Sequence, residues 1–504
     1  VLPPSGPRKI LKNPTFYSRH WQLTFFCASD LFAQLIILHT SSLFAATLSR
    51  AGRDRQRGYV GGCGARRGRP IIRAERAKMG FKEESEKLLS GELSIRERHP
   101  LIPTGESEEV AAGVMFWRWF ANMTAIKTED GLVLVDTGGH HNQAETVAMV
   151  RRWSADRVNT AIYTHGHVDH AGGMTAFAAE AQQNRRARPR VVGHRAVAAR
   201  FDRYRRTTGY NSIVNSRQFG VPTQWPQEFV YPDTYFDHQF NVVTGTWRFE
   251  CHHARGETND HCWVFIPSRK VLLTGDFVIW AAPNAGNPQK AQRYAREWAE
   301  ALRVMAKTGA EVLLPGHGIP VFGSIRVRQV LNDTAEYLQS LYDQTLKMMN
   351  DGAPLDDIVH SVKPPVALAE KPYLQPVYDE PDFIVRNVWR LEGGWYDGIA
   401  SHLKPAPHRA QAAEIAAMAG GADVLLGRAL QKMSDGDLAL AAHLIDWAVA
   451  AAPDNRAAHE ARMRIYAARA VESTSTMAHG IFRAAALESA AKAGVAPPED
   501  SRMI

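Results

Sequence analysis

The chain has 504 residues, 45% hydrophobic and 22% charged, enough for two or three domains with a sizeable core. Its formal charge of +8 is unevenly placed: residues 1–78 hold fourteen Lys/Arg against three Asp/Glu, so the rest carries −3 and offers no electrostatic case for binding nucleic acid. The four cysteines (Cys27, Cys63, Cys251, Cys262) show no CxxC spacing, which argues against a disulfide scaffold and fits a reducing, cytoplasmic compartment.

Residues 1–78 stand apart. Position 1 is not Met, and 31–49 is an uncharged, largely apolar stretch with Arg8, Lys9, Lys12 and Arg19 before it and an Arg/Gly-rich run after it. The leading expectation is a non-native or upstream-translated extension, with the native start at Met79. The alternatives are a signal peptide or anchor, which would make the protein periplasmic or secreted, and a disordered basic arm. Asp30, His39 and Thr40-Ser41-Ser42 weaken the membrane reading.

From 114 to 317, short apolar runs alternate with helical stretches. Runs at 124–128 and 132–136 are joined by Glu129-Asp130-Gly131, a hairpin signal. Ala161-Ile162-Tyr163 reads as the end of a buried strand, and further strands are expected at 190–193, 247–252, 262–266, 271–274 and 312–314, with helices at 143–154, 174–183, 195–206 and 289–308. This is a mixed α/β layer architecture. Beyond about 330 the pattern turns helical: 332–350, 355–363, an aromatic loop over 373–396, then Ala-rich helices at 410–418, 422–433, 437–451 and 455–470. Ala452-Pro453-Asp454-Asn455 reads as a turn inside a tetratricopeptide-like hairpin, although no repeat of about 34 residues is sustained. The expected division is 1–78, 79–330, 331–470, and a terminal helix and tail over 471–504.

The run Thr164-His165-Gly166-His167-Val168-Asp169-His170 carries the chemistry. Three imidazoles and a carboxylate in six residues are costly to bury without partners, and they follow an apolar strand. Asp276 ends Leu272-Leu273-Thr274-Gly275, and His317 ends Leu313-Leu314-Pro315-Gly316, the same strand-into-turn layout. Glu257 lies in His253-Ala254-Arg255-Gly256-Glu257, and Asp136 ends a hairpin strand. His165, His167, Asp169, His170, Glu257, Asp276 and His317 supply seven donors. With one carboxylate shared, they suit two near-tetrahedral zinc shells, and two such metals clamp and activate a water together.

These motifs resemble the metallo-β-lactamase fold superfamily. The resemblance implies an αββα sandwich, with one zinc on His165, His167 and Glu257, the second on Asp169, His170 and His317, and Asp276 bridging. Asp169 is placed as the catalytic carboxylate as well, and Asp136 as a residue that orients ligands rather than binding metal. Most of the superfamily has His where Glu257 stands. A carboxylate there is similar to the alkyl sulfatase branch, whose first domain precedes a helical dimerisation domain. Phe322-Gly323-Ser324-Ile325-Arg326, the 343–352 segment and Gly394-Trp395-Tyr396-Asp397-Gly398 resemble that branch too. The likeness covers about 100–470. A sterol-carrier-like domain of longer members is not expected here, and Asp276 stands where sulfatases of this branch often have Glu.

The 282–290 loop, Ala-Pro-Asn-Ala-Gly-Asn-Pro-Gln-Lys, is expected to open the 289–308 helix and offer its N-terminus to an anion. Asn284 aligns with the branch's sulfate-binding Asn. Lys290 is the expected cation, with Arg293 in reserve. Trp280, Trp389, Trp395 and Tyr396 are candidates for an apolar wall. No general acid for the leaving oxygen is placed: the branch's His in the loop before the aromatic-Asp-Gly segment has no counterpart, Asp382 or Phe383 standing near its place. The implied function is dizinc hydrolysis of sulfate monoesters by a metal-bound water, in a homodimer. The alternative is another ester hydrolase of the same fold, a lactonase, thioesterase or phosphodiesterase. A degenerate scaffold is disfavoured because all seven positions hold competent ligands.

Overall fold

The computed structural model describes residues 79–498, so the expectations placed on 1–78 and on the last six residues lie outside it. One sheet holds seven strands in sequential order: β1 (Ser107–Ala111), β2 (Val114–Trp117), β3 (Met123–Thr128), β4 (Gly131–Val135), β5 (Val158–Ile162), β6 (Arg190–His194) and β7 (Thr234–Phe236). Pairing is antiparallel from β1 to β4 and parallel from β4 to β7. The second sheet contains β8 (Gln239–Thr244), β9 (Trp247–His253), β10 (Cys262–Ile266), β11 (Val271–Gly275), β12 (Val312–Pro315) and β13 (Val321–Phe322). It is antiparallel except for the β11–β12 pair.

Period-two alternation explains the layering. In β4 and β5, Val133, Val135 and Ile162 join a core with Phe249, Val264 and Leu272 of the second sheet. Leu134, Ala161 and Tyr163 point the other way, to Met149, Phe177 and Phe201 on the helices Gln143–Trp153, Met174–Gln183 and Ala196–Arg206. Each such fully buried side chain contributes about 1.5–3 kcal/mol. The helices Ala295–Met305 and Ser324–Asn350 pack on the second sheet through Trp298, Leu302 and Leu331. The result is the αββα sandwich expected from the motifs.

The 330/331 boundary falls within Ser324–Asn350, one continuous helix. Beyond it, His408–Ala419, Ala422–Ser434, Leu438–Ala451, Arg456–Glu472 and Thr476–Ala493 surround a core of Leu425, Ile445, Ile465 and many alanines. Asp437, Asn455 and Ser475 each cap one of the last three helices by accepting a backbone N–H. No helix among the described residues is long and apolar enough to cross a membrane.

Three local expectations need correction. The 373–396 segment is not a continuous loop: Pro381–Gly393 is a helix, started by proline in its first turn and buried through Ile384, Val385 and Val388. The 289–308 helix begins only at Ala295. Thr208–Phe219 is a helix with no sequence warning, because its buried face carries the amides Asn211, Asn215 and Gln218 instead of an apolar stripe. The helix Thr476–Ala493 packs on that amide-bearing helix, and a Cβ at Gly480 would collide with the Gln218 carbonyl.

Candidate metal centre

Every expected metal ligand leaves the carboxyl end of a strand or the loop just after it. β5 runs into Thr164 and the His-rich loop, β11 into Asp276, and β12 into His317. Tight turns allow the approach: a Cβ at Gly316 would collide with the Asp276 carboxylate. Two clusters form, His165, His167, Glu257 and Asp276 in one, and Asp169, His170 and His317 in the other. Within each, the candidate ligand atoms lie within 4.8 Å of one another. Asp276 also joins the two, with Oδ2 at 3.8 Å from His165 Nε2 and Oδ1 at 3.1 Å from His170 Nε2 and 3.4 Å from His317 Nε2.

Around these groups the chain fixes ring orientation. Asp136, at positive φ just past β4, accepts from Thr164 N and Oγ1, each at 2.8 Å, and from His170 Nδ1 at 2.8 Å. That leaves His170 Nε2 facing Asp276, so Asp136 orients a ligand and is absent from both clusters. His317 Nδ1 donates to the Phe120 carbonyl. Asp260 accepts from Gly166 N (2.8 Å) and from Arg200 Nε (2.7 Å), clamping the His loop from beneath. His261 stacks on Phe277 and lies tilted against His165, each with centroids at 4.3 Å. Asp260, Arg200 and His261 were missed in the sequence; a lone Arg on a helix and an Asp-His pair give no spacing signal.

The electrostatics divide the four imidazoles: burial opposes the charge on His170 and His317, but Asp276 outweighs it and raises both above the ordinary histidine range, whereas His165 and His167 are lowered. His170 Nε2, Glu257 Oε2 and Asp276 Oδ1 are buried without a hydrogen-bond partner, which is costly unless a positive charge faces them. Burial, then the neighbouring His170, His261 and His167 rings, hold His165 well below the ordinary histidine range. Burial, then Arg200 and Arg293, do the same to His167. Both imidazoles are therefore neutral, as metal ligation requires. Burial, then Asp276, pushes Glu257 well above the usual carboxylate range. Burial opposes ionisation of Asp276, but His170 and His317 outweigh it and hold its carboxyl low. Nitrogen and carboxylate donors in this number fit two zinc ions.

A cavity of about 420 Å³ opens beside the clusters and is lined by Asp169, Glu257, Asp276 and His317. Asn284 and Lys290 both reach it. Asn284 Nδ2 donates to Glu257 Oε1, and Lys290 Nζ donates to Asn215 Oδ1 at 2.6 Å. Burial, then Arg293, pulls Lys290 down to about 7. Arg293 Nη2 lies 3.4 Å from Glu257 Oε1, so the reserve cation is paired with a candidate ligand.

The expected helix N-terminus is not there. Gly286 N and Asn287 N instead donate to the Asp379 carboxylate, at 2.6 and 3.2 Å. Nor do Trp280, Trp389, Trp395 and Tyr396 form the wall. Trp280 is core, donating to the Ile319 carbonyl at 2.6 Å, while Trp389 binds the Tyr396 carbonyl and Trp395 is 70% exposed. Phe120, Tyr204, Phe219, Trp225 and Tyr378 line the cavity in their stead. Asp382 pairs with Lys363, and Phe383 packs behind Gly286. Tyr378 brings a hydroxyl to the cavity lining, and that hydroxyl accepts from Gln218 Nε2 at 3.1 Å.

Two family models match the chain: the metallo-beta-lactamase superfamily over residues 117–317 and alkyl sulfatase dimerisation over 354–492. A linear primary-alkylsulfatase of Pseudomonas sp. (strain ATCC 19151) is 27% identical over 68% of this chain and 69% of its own length. An (R)-specific secondary-alkylsulfatase of Pseudomonas sp. is 28% identical over 67% of this chain but only 55% of its own length. The chain thus spans between about half and two thirds of these curated relatives. The solved structure of a stereoselective inverting sec-alkylsulfatase from Pseudomonas sp. superimposes with a TM-score of 0.71 over 79% of this chain and 67% of the other, at 23% identity, a likeness of fold.

Proposed function

We propose, from its matches to the metallo-beta-lactamase and alkyl sulfatase dimerisation models, that the chain is a member of the alkyl sulfatase branch of that superfamily and a dizinc hydrolase of sulfate monoesters. His165, His167 and Glu257 would hold one zinc, Asp169, His170 and His317 the second, with Asp276 shared. When bound, the pair supplies Lewis-acid charge and a water made nucleophilic near neutral pH.

The chain's own residues do the rest. Asp136 keeps the Nε2 of His170 turned inward, and Asp260 with Arg200 fixes the backbone of the His loop. A sulfate monoester repels nucleophiles by its charge. Lys290 and Asn284 would receive that charge at the cavity wall, with Lys290 acting as a point charge. The aromatic wall of Phe219 and Trp225 excludes water beside the ester and accepts an apolar alcohol portion. The single observation that carries the reading is the gathering of all seven donors into two clusters, five of them (His167, Asp169, Glu257, Asp276 and His317) lining a cavity that also receives Lys290 and Asn284.

The helices after 354 support a homodimer, with apolar Met418 and Val424 exposed on them at 74% and 51%. The deciding experiment loads the purified chain with zinc and sets alkyl sulfates against phosphodiesters, lactones, thioesters and β-lactams. Turnover confined to sulfate esters with about two zinc per chain is expected. Turnover of another ester class alone moves the protein to that class.

A further inference from the structure

The loop that carries Asn284 and Lys290 is held from behind by the helical region. Ala282 N donates to the Gln375 carbonyl at 2.9 Å. Asn387 Nδ2 donates to the Arg293 carbonyl at 3.0 Å, and Gln292 Nε2 donates to Asn387 Oδ1 at 2.9 Å. Gly286 lies so close to the backbone of Phe383 and Ile384 that a Cβ there would sit 2.5 Å from Phe383. At the centre is Asp379, fully buried, with Oδ2 accepting from Gly286 N and Asn287 N and Oδ1 from Glu380 N at 2.8 Å.

Burying a carboxylate with no cation in contact is expensive, and here burial pushes the group up to about 7. Three backbone donors offset part of that cost. Two of the three belong to the loop of the sandwich domain, whereas Asp379 lies in the matched dimerisation segment. A buried charge that bridges the two is spent on fixing loop shape.

We propose that Asp379 is a positioning residue for sulfate-ester binding: by holding Gly286 and Asn287 it sets where Asn284 and Lys290 meet the substrate, so the helical region completes the active site as well as the dimer. This rests on the sulfate-ester reading. It differs from a helix N-terminal anion site, because the loop amides are already committed to Asp379 and the anion is left to the side chains.

The test uses the full zinc-loaded chain with Asp379→Ala and Asp379→Asn. Metal content and the melting temperature establish that each variant folds. Amide hydrogen exchange then reads the loop directly. For Asp379→Ala, exchange at Gly286 and Asn287 is expected to rise at least about tenfold while that of the 164–170 loop stays put. KM for an alkyl sulfate and the inhibition constant of inorganic sulfate should rise about tenfold, with kcat within about twofold. Asp379→Asn, with its remaining oxygen turned to Gly286 N and Asn287 N, keeps the acceptor for both loop amides and loses the one for Glu380 N, and should fall between. Unchanged exchange, or unchanged KM in a folded variant, overturns the proposal, as does a fall in kcat that simply tracks zinc loss. A wild type inactive on sulfate esters overturns the reading of the reaction, and the exchange result still decides whether Asp379 holds the loop.

Discussion

The metal clusters and the 282–290 loop face the same cavity but are built on opposite principles. The clusters hang from strand ends, and their supports, Asp136, Thr164 and Asp260, belong to the same sandwich. The loop has no regular structure, and its supports come from Gln375, Asp379 and Asn387, about ninety residues further along the chain. A site on a sheet edge inherits rigidity from its own domain. A site on a loop must borrow it, and here it borrows from the helices. Metal binding and substrate binding should therefore fail separately.

The strongest way to break that separation is at Asp276, which touches both clusters. Asp276→Ala should lose zinc, by metal analysis, and lower kcat/KM by about a thousandfold or more. Any variant with full activity and no metal removes the metal reading altogether. Next is the clamp beneath the His loop. Breaking the buried Arg200–Asp260 pair by Asp260→Asn should cost about 3–5 kcal/mol in denaturant unfolding and weaken zinc retention. Burial raises the pKa of Asp260, but Arg200 prevails and holds the carboxyl below its usual range. Its stabilising contribution is therefore present above the unfolded carboxylate pKa and lost as pH falls through the lower folded value.

A smaller effect tests the loop side. Lys290→Ala should raise KM for sulfate esters about tenfold and leave zinc content alone. Since Lys290 is pulled down to about 7, its charge is present below that pH and lost above it. KM should then climb as pH rises through neutrality, and Lys290→Arg should flatten the climb. Tyr378→Phe removes only the cavity hydroxyl, and a loss of kcat of about tenfold or less, with zinc intact, is expected. The smallest effect is none: Trp395→Ala lies outside the cavity and should leave kinetics unchanged.

The same contrast decides what could be read from sequence. All seven candidate ligands, which the structure gathers into two clusters, and Asp136 announce themselves because strand, turn and polar residue come in one local order, and period-two patterning in β4 and β5 fixes the sandwich. Lys290 and Asn284 were placed by local likeness and do reach the cavity. The helix N-terminus was not foreseeable as absent: Asn387 bonds to Gln292 and Arg293 and Asp379 occupies the loop amides, and neither has any local signature. The cavity wall was misassigned for the same reason. Tryptophans near the motif looked the better candidates, yet the wall is assembled from scattered segments: Phe120, Trp225 and Tyr378 in loops, Tyr204 on one helix, and Phe219 on a helix whose buried amides disguise it as surface.

The tight crossing of the helix Thr476–Ala493 over Thr208–Phe219 has a consequence in time. Gln218, which steadies the Tyr378 hydroxyl, rests its carbonyl against Gly480. A nascent chain can fold its sandwich and gather its metal ligands soon after His317 emerges from the ribosome. The brace behind the cavity wall arrives only when residue 480 does, more than a hundred and sixty residues later. Until then the helix that carries Asn211, Asn215 and Phe219 to the cavity lacks the partner that packs on it.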